Sequence, residues 1–292
     1  MQSSLSIVMC TYNGAAFVEA QVQSILAQTY PFEELVIVDD ASTDQTYALL
    51  QELTTTDARI KLYQNAINIG YNANFEKAIR LSAGDYIAFA DQDDIWEPLK
   101  IQLMSQVQLN PLDDVPSLVF SDLSLINTYG EHKGNSFWEM ADLDPMRTTF
   151  NSLMFANVVT GCASLINHRM RDLLKEIPSD VMMHDHWIGL IAYGLGKVEI
   201  ISQPLVRYRI HDDSVTEKQE ADFFWKMKKQ IHQIFGDSSG YLQKEIDQML
   251  AFDRLFGDQL NPSRKKQLEA FLMLKNQSLL KKKIASYKKF SI

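Results

Sequence analysis

Cysteine is scarce in this sequence. Only Cys10 and Cys162 occur among its 292 residues, and two cysteines are too few for the disulfide framework that stabilises small secreted domains. The first residues, MQSSLSIVMCTYNG, also lack the basic stretch and the apolar segment of a secretory signal peptide. We therefore expect a cytoplasmic protein that keeps its thiols reduced.

Long apolar runs are missing as well. No segment approaches the roughly 20 consecutive apolar residues that a membrane-spanning helix needs. Hydrophobic residues still make up 46% of the chain, which is usual for a globular protein with a sizeable core. The sequence therefore predicts a chain that does not cross a bilayer, and it leaves open contact with a membrane surface.

Basic residues are too few for a nucleic-acid-binding protein. The chain has 28 Lys and Arg against 37 Asp and Glu, whereas binding to a phosphate backbone needs a basic face. The imbalance is uneven, because residues 1–216 hold 13 basic and 28 acidic side chains, while residues 263–292 hold nine basic and one acidic. The basic C-terminal end is a separate feature of the chain.

Two glycine-rich motifs are also absent. No G-x-G-x-x-G follows the first predicted strand, which argues against a dinucleotide-dependent dehydrogenase. The segment at that place is CTYNGAAF, which contains neither lysine nor arginine. A nucleotidyltransferase of similar α/β build would be expected to carry a basic, glycine-rich loop there.

The first half of the chain contains a regular alternation of strand and helix patterns. Short β-branched runs typical of buried strands are LSIVMC, LVIVDD, IKLYQN and YIAFA. The helical patterns that follow them are AAFVEAQVQSILAQ, DQTYALLQEL, GYNANFEKAIRLSA and PLKIQLMSQVQL. This alternation predicts an α/β fold with a mostly parallel central sheet flanked by helices, which binds ligands at the carboxyl ends of its strands.

The pattern is less regular beyond Asn110. Residues 117–127 resemble a strand, residues 130–144 a polar loop, residues 160–170 a strand that leads into a helix, and residues 184–196 a helix. Residues 197–211 read as two strands joined at Gln203-Pro204, and the chain is predicted helical from Ala221 to its end, with breaks at 236–240 and 261–262.

Acidic side chains follow two of the predicted strands. Asp39 and Asp40 come after the second, and Asp91, Asp93 and Asp94 lie within four positions after the strand YIAFA. Paired carboxylates at the end of a buried strand suit a hard divalent cation that carries a substrate's phosphates. The alternatives are a helix cap for the first pair and a solvated acidic turn for the triplet.

Five ordered motifs carry a resemblance to a known family. They are SIVMCTYNGAAFVEAQVQSILAQTY, ELVIVDDASTDQT, NIGYNANFEKAI, GDYIAFADQDDIW and HDHW. Together they resemble the inverting family 2 glycosyltransferases with the GT-A fold, over about residues 4–215. The DQDDIW and HDHW forms are similar to the branch that includes bacterial rhamnosyltransferases of cell-wall and capsular polysaccharide synthesis.

The resemblance implies a nucleotide site at the strand ends. Thr11, Tyr12, Asn13 and Asp39 would bind the base and ribose of a nucleoside-diphosphate sugar, and Asp40 and Asn74 would line the same pocket. Asp91 would orient the donor. Asp93 would ligate Mg²⁺ or Mn²⁺, and Asp94 is left with a structural role.

The resemblance also assigns residues in the second half. Asp185 would be the general base, where many relatives carry Glu-Asp and this chain has His184 before the aspartate. The alternative makes Asp185 a helix N-cap, with His184 and His186 at the surface. His211 would complete the metal's coordination, with a structural or surface role as the alternative. Apart from the resemblance, a guanidinium matches two phosphate oxygens at once, so one or both of Arg207 and Arg209 would contact the diphosphate. Trp187 would stack on the acceptor or, alternatively, lie in the core.

The resemblance divides the chain into a catalytic domain, residues 1–216, and a helical C-terminal extension, residues 217–292. Residues 221–235 combine aromatic residues with lysines. This fits a helix on anionic lipid, and the favoured alternative is a packed helical appendage or a contact in a homo-oligomer. For the closing basic tail, contact with the inner face of the membrane is the better prediction.

The resemblance therefore implies an inverting, metal-dependent glycosyltransferase. Its donor would be dTDP-L-rhamnose, and its acceptor a polysaccharide or a lipid-linked saccharide. UDP-glucose, UDP-galactose and UDP-N-acetylglucosamine are alternative donors. A relative that binds nucleotide sugars without transferring them is a non-enzymatic alternative.

Overall fold

The structure is a computed structural model. It describes residues 4–108, 114–210, 242–277, 281–282 and 284–285. All statements below refer to these residues.

The described chain forms nine strands, all in one sheet. They are β1 (Leu5–Thr11), β2 (Glu34–Asp39), β3 (Ile60–Gln64), β4 (Tyr86–Ala90), β5 (Ile95–Trp96), β6 (Ser117–Asn127), β7 (His132–Gly134), β8 (Ser164–Asn167) and β9 (Lys197–Ile210). The order across the sheet is β3-β2-β1-β4-β8-β6-β9-β5, and β7 pairs with β6.

Ten α-helices of defined bounds accompany this sheet, and the short described stretches 281–282 and 284–285 are helical as well. The ten helices are α1 (Val18–Leu26), α2 (Thr46–Thr54), α3 (Tyr71–Leu81), α4 (Lys100–Gln108), α5 (Phe137–Met140), α6 (Phe150–Leu153), α7 (His168–Leu173), α8 (His184–Leu195), α9 (Gln243–Phe256) and α10 (Pro262–Leu272). Short 3-10 turns lie at Pro145–Arg147, Gly161–Ala163, Gly257–Gln259 and Met273–Asn276.

The first four long strands are parallel, in the order β3-β2-β1-β4. All five residues of β4 are buried, and β1 and β2 are buried along almost their whole length. Such strands need helices on both faces of the sheet. The predicted α/β fold with a mostly parallel sheet is therefore confirmed, and antiparallel pairing is confined to β5, β7 and β8.

Strand β8 joins the two halves of the sheet. It lies between β4 and β6 and is antiparallel to both. Because β8 is preceded by the turn Gly161–Ala163, that turn lies against β4 near the acidic strand end. The antiparallel insertion thus brings a distant part of the sequence next to Asp91.

Residues 197–210 form one strand, which corrects the prediction of two strands joined at Pro204. The pairing of β9 with β6 shifts register around Asp122, which faces Pro204. Proline has no N–H to donate to the ladder, so it is accommodated at an irregularity of this kind. The segment predicted as a loop, 130–144, also contains β7 and α5, and Asp122 accepts hydrogen bonds from Ser136 and from the Trp138 N–H.

The described part of the C-terminal extension packs on the catalytic half. Phe252 of α9 lies fully buried, with its ring centroid 5.7 Å from Trp187 and 5.5 Å from Phe150. Helix α10 begins at Pro262 after the predicted break, where the Asn261 side chain accepts from the Arg264 N–H. Arg264 in turn donates to the carbonyl of Gly194 in α8.

Among the described residues, no helix combines the length and the apolar character that a membrane crossing requires. The predicted amphipathic helix at residues 221–235 lies outside the described residues, as do residues 278–280, 283 and 286–292 of the basic C-terminal end.

The packing of α9 leads to a test of whether the extension and the catalytic half form one cooperative unit. Replacing Phe252 with Ala should lower the free energy of unfolding by about 3–5 kcal/mol, because a large aromatic side chain is removed from a closed core. Leu255→Ala, on the same helix but 45% exposed, should cost less than about 1 kcal/mol. Denaturant unfolding followed by Trp fluorescence measures both, and equal effects would contradict the packing described.

Candidate functional site

The carboxyl ends of β1, β2 and β4 lie side by side, and hydrogen bonds connect the loops that follow them. The Gln92 side chain accepts from the Tyr12 N–H at 2.9 Å and donates to the Tyr12 carbonyl at 3.0 Å. The Asn13 N–H donates to Ser42 Oγ, and the Asn13 side chain accepts from the Thr43 N–H. These contacts build one polar edge from three segments that are far apart in sequence.

A glycine makes the first of these contacts possible. A Cβ added at Gly14 would overlap the amide group of Gln92. The Gly14 N–H also donates to Thr46 Oγ1 at the start of α2. Only a residue without a side chain therefore lets Gln92 reach the backbone of Tyr12.

Asp39 is fully buried at the end of β2. Its carboxylate accepts from Thr11 Oγ1 at 3.0 Å, from the Ser42 N–H at 3.0 Å, from the Ser42 hydroxyl, and from Gln64 Nε2 at 3.3 Å. These donors occupy about four acceptor positions, which is the capacity of a carboxylate. Its predicted contact with a base would require exchange of one of these partners.

Asp40 and Asn74 belong to a second buried network. Asp40 accepts from Asn65 Nδ2 at 2.7 Å and from the N–H groups of Ile69 and Gly70, both at 2.9 Å. Asn74 accepts from Asn65 Nδ2 and donates to the Val38 carbonyl. Both side chains fix the loop before α3, and this placement gives no direct support to their predicted role as donor contacts.

The acid cluster, Asp91, Asp93 and Asp94, lies beyond the end of β4. Asp91 and Asp93 are half-buried, and Asp94 is fully buried. Burial, with the nearby charges of Asp93 and Asp185, raises the pKa of Asp91 to about 7. Burial and the charges of its two neighbours likewise raise the pKa of Asp94 well above its ordinary value. Both carboxyl groups therefore hold their protons at a higher pH than an ordinary aspartate does.

Lys100 supplies positive charge beneath the acid cluster. Its side chain is fully buried, its ammonium lies 3.3 Å from the centroid of the Trp96 ring, and it donates to the carbonyl of Cys162. Burial lowers the pKa of Lys100 to about 7, against the opposing effect of Cys162, Asp94 and Asp91. The Cys162 sulfur and one oxygen each of Asp91 and Asp94 lie within 4.8 Å of one another.

Arg209 donates hydrogen bonds to the acid cluster from both its side chain and its backbone. Its Nε donates to the Asp93 carbonyl at 2.6 Å, and its own N–H donates to Asp94 Oδ1 at 3.0 Å. Its guanidinium also donates to the carbonyls of Asn127 and Thr128. Arg207, on the same strand, forms an ion pair with Glu97 at 2.7 Å. In this structure both arginines thus have partners within the chain, and their diphosphate contacts remain predictions.

Asp185 lies in the first turn of α8 and faces the acid cluster. Its carboxylate accepts from Asn157 Nδ2 at 3.1 Å, from the Gly161 N–H at 3.3 Å and from the His186 N–H at 2.6 Å. Burial raises the pKa of Asp185 to about 6, and these hydrogen bonds oppose the rise. A carboxyl group with this pKa can accept a proton near neutral pH, as a general base must.

The histidines on either side of Asp185 are buried, which corrects the alternative that placed them at the surface. His184 stacks on Phe75 with ring centroids 4.1 Å apart, and neither ring nitrogen has a hydrogen-bond partner among the described residues. His186 donates to the Leu153 carbonyl at 2.7 Å. Burial lowers the pKa of His184 to about 3 and that of His186 to about 4, so both are neutral.

The remaining predicted residues fall outside the site or outside the described chain. Trp187 is fully buried, with its ring centroid 5.9 Å from Phe256. This position does not support the predicted stacking on an acceptor, and we assign Trp187 to the core. His211 lies outside the described residues.

Several side chains of the site were not found from the sequence. Gln21 donates to the Asp91 carbonyl at 2.8 Å, and the burial of the Tyr71 hydroxyl beside Asp91 and Asp185 raises its pKa well above its ordinary value. Asn157 and Lys100 are the others. Only Lys100 could have been suspected from the sequence, because the helical pattern of α4 assigns this lysine to the buried face.

The contact between Gly14 and Gln92 predicts a coupling between two positions. Gly14→Ala should destabilise the protein by about 2 kcal/mol, because the displaced amide loses two hydrogen bonds to Tyr12. In a Gln92→Ala background the same substitution should cost much less, because the overlap is gone. A double-mutant cycle of unfolding free energies measures this coupling, and additive effects would contradict the close approach.

Comparison with known proteins places this geometry in context. Residues 6–162 match the family model described as Glycosyl transferase family 2. The chain is 26% identical over 238 residues to the putative teichuronic acid biosynthesis glycosyltransferase TuaG of Bacillus subtilis, covering 79% of this chain and 86% of that protein. It is 27% identical over 235 residues to the UDP-Glc:alpha-D-GlcNAc-diphosphoundecaprenol beta-1,3-glucosyltransferase WfgD of Escherichia coli, covering 80% and 85%.

Solved structures share the fold. S. aureus TarS 1-349 in complex with UDP-GlcNAc aligns with a TM-score of 0.59 at 16% identity, covering 98% of this chain and 89% of that one. The mannosyltransferase PcManGT from Pyrobaculum calidifontis, in complex with GDP-Man and Mn²⁺, aligns with a TM-score of 0.56 at 18% identity, covering 100% and 80%. The predicted GT-A fold is thereby confirmed, and since the family model spans more than half of its residues, the chain belongs to glycosyl transferase family 2.

Proposed function

We propose that this glycosyltransferase transfers a sugar, with inversion, from a nucleoside diphosphate to a saccharide acceptor in the synthesis of a cell-wall polysaccharide. The observation that carries the proposal is the position of Asp185. Its carboxyl group has a raised pKa, is oriented by Asn157 and the Gly161 N–H, and lies close enough to Asp91 to raise that residue's pKa as well.

The proposed reaction is a single displacement at the anomeric carbon. The acceptor hydroxyl oxygen forms a bond to that carbon while the bond from the carbon to the diphosphate oxygen breaks, and the electron pair leaves with the diphosphate. The hydroxyl proton passes to the Asp185 carboxylate. Attack from the face opposite the leaving group inverts the configuration, which requires the base and the diphosphate on opposite sides of the sugar.

The acid cluster fits a divalent cation. Burial and the charges of Asp93 and Asp185 raise the pKa of Asp91. A cation would stabilise the ionised carboxylates, and Mg²⁺ and Mn²⁺ prefer oxygen ligands. We assign Asp93 as the ligand, with Asp91 beside it contacting the donor and His211 as a further ligand. When bound, the metal supplies positive charge to the leaving diphosphate.

The polar edge built from β1 and β2 is the proposed nucleotide site. Tyr12 is 46% exposed there, and Thr11, Asn13 and Asp39 order the loops around it. We propose that this edge receives the base and ribose. The hydrogen bonds of Asp39 give the loops a fixed shape before the nucleotide arrives, so less ordering is required on binding.

The donor sugar is proposed as one of a small set. WfgD is named for UDP-Glc, and TarS is bound to UDP-GlcNAc, so these two stand beside dTDP-L-rhamnose as candidates. A lipid-linked saccharide is the proposed acceptor, by likeness to the diphosphoundecaprenol acceptor in the name of WfgD. The basic residues 263–292 would attract the anionic membrane surface at which such an acceptor is held.

An inactive nucleotide-sugar-binding protein is the competing function. Incubation of the purified chain with a panel of UDP-, GDP- and dTDP-sugars, with release of the nucleoside diphosphate as readout, separates the two. Turnover of one donor supports the enzyme. Binding of a donor with no release, with or without an undecaprenyl-linked acceptor, would contradict it.

Asp185→Asn tests the general base. The amide keeps the shape of the side chain but cannot accept the proton, so kcat should fall about 10²–10⁴-fold, while nucleotide binding measured by calorimetry should stay within about twofold. Asp180→Asn, at an exposed aspartate five positions earlier, is the matched control and should retain full activity. Full turnover by Asp185→Asn would exclude this residue as the base.

Removal of divalent metal tests the acid cluster. Treatment with EDTA should abolish transfer, because the leaving diphosphate loses its counter-charge, and excess Mg²⁺ or Mn²⁺ should restore it. Asp93→Asn should raise the metal concentration needed for half-maximal rate. An unchanged rate after EDTA treatment would contradict metal dependence.

A further inference from the structure

Gln248, on α9, is a buried polar residue that the catalytic assignments do not use. Its side chain is fully buried on a helix that otherwise presents apolar residues to the catalytic half, including Phe252 and Phe256. A buried amide is costly unless its hydrogen-bonding groups are satisfied. Its partners therefore indicate why it is there.

Both ends of the Gln248 amide contact the segment that carries Asp185. The Oε1 atom accepts from the Met182 N–H at 3.0 Å, and Nε2 lies 3.2 Å from His186 Nδ1. His186 Nε2 lies 2.7 Å from the Leu153 carbonyl, which can only accept. Nε2 of His186 therefore carries the proton, and Nδ1 accepts from Gln248.

This arrangement leaves little freedom to the imidazole or to the amide. Burial lowers the pKa of His186 to about 4, so the ring is neutral at physiological pH. The amide has one orientation that satisfies both neighbours, since its oxygen must face an N–H and its nitrogen must face an acceptor. The three groups form one chain of hydrogen bonds from α9 through His186 to α6.

Asp185 lies between the two contact points. Met182 is three residues before it and His186 is the next residue, and the His186 N–H also donates to Asp185 Oδ1 at 2.6 Å. Fixing the backbone at Met182 and the ring at His186 fixes the path of the chain between them. Asn157 and the Gly161 N–H also donate to the Asp185 carboxylate, so a shift of the backbone at this point would change the geometry of these bonds and the orientation of the carboxylate.

We propose that Gln248 is a positioning residue for Asp185, which makes α9 a working part of the catalytic centre. The proposal rests on the proposed function, in which Asp185 takes the acceptor proton. It assigns to the C-terminal extension a role in the rate of the chemical step. The base and ribose of the donor are proposed to bind at the ends of β1 and β2, where Gln248 makes no contact, so we expect little change in donor binding.

The closing experiment compares two substitutions on α9. Gln248→Met keeps the length and volume of the side chain and removes both hydrogen bonds. Phe256→Leu, at the residue that packs on Trp187, weakens the same interface and leaves the hydrogen bonds in place. Thermal unfolding of both variants establishes that their loss of stability is comparable.

Gln248→Met should lower kcat about tenfold or more, as expected for a small misplacement of a reacting group, with the donor KM within about twofold of wild type. Phe256→Leu should leave kcat within about twofold. If Gln248→Met does not fold, Gln248→Leu replaces it, because its side chain can neither accept from Met182 nor donate to His186. The same fall in kcat is then expected.

The histidine ring provides a readout that does not depend on turnover. In ¹⁵N-labelled protein, His186 should appear as a neutral ring protonated at Nε2 and hydrogen-bonded at Nδ1, and Gln248→Met should shift the Nδ1 resonance while Phe256→Leu should not. An unchanged kcat in Gln248→Met, or an equal fall in Phe256→Leu, would overturn the proposal. A wild-type protein that transfers no sugar from any donor would instead overturn the proposed function.

Discussion

The crowding of carboxylates at the end of β4 is the constraint on which the site depends. Asp91, Asp93 and Asp94 follow one strand, and the first turn of α8 adds Asp185 opposite them. Such an arrangement is stable only if positive charge and N–H groups surround it. Lys100 from α4 and Arg209 from β9 meet that requirement, so elements from both halves of the sheet are needed to hold one acidic turn.

The first half of the fold could be predicted from sequence because its signals are local. Continuous apolar runs such as β4 indicate strands buried on both faces, and amphipathic segments between them indicate the covering helices. The insertion of β8 between β4 and β6 could not be predicted, since its four residues pair with partners 44 or more positions away. The continuity of β9 through Pro204 could not be predicted for a related reason. A proline in a sequence suggests that a strand ends, whereas here the irregular pairing with β6 at Asp122 lets the strand continue.

Some residues of the candidate site could also be predicted from the sequence, and others could not. The D-x-D segment and Asp185 stand in short motifs that a sequence displays directly. Gln92, Lys100 and Gln248 act through partners 62 to 80 positions away, and apart from the place of Lys100 on the buried face of α4, nothing in their immediate neighbours indicates a role in the site. Asp40 shows the converse, because its motif suggests a ligand contact while its oxygens hold the loop at Gly70. The motifs predict which residues lie near the site, whereas the contacts of each residue follow from the fold.

The burial of Lys100 beneath the acid cluster has a consequence for the working cycle of the enzyme. Burial lowers the pKa of Lys100 to about 7 and, with the neighbouring carboxylates, raises the pKa of Asp91 to about 7, so both groups change charge over the same range of pH. The empty site can therefore reduce its negative charge by taking up protons near neutral pH, without unfolding of the turn. A cation that bound there would displace those protons, so its affinity should rise with pH.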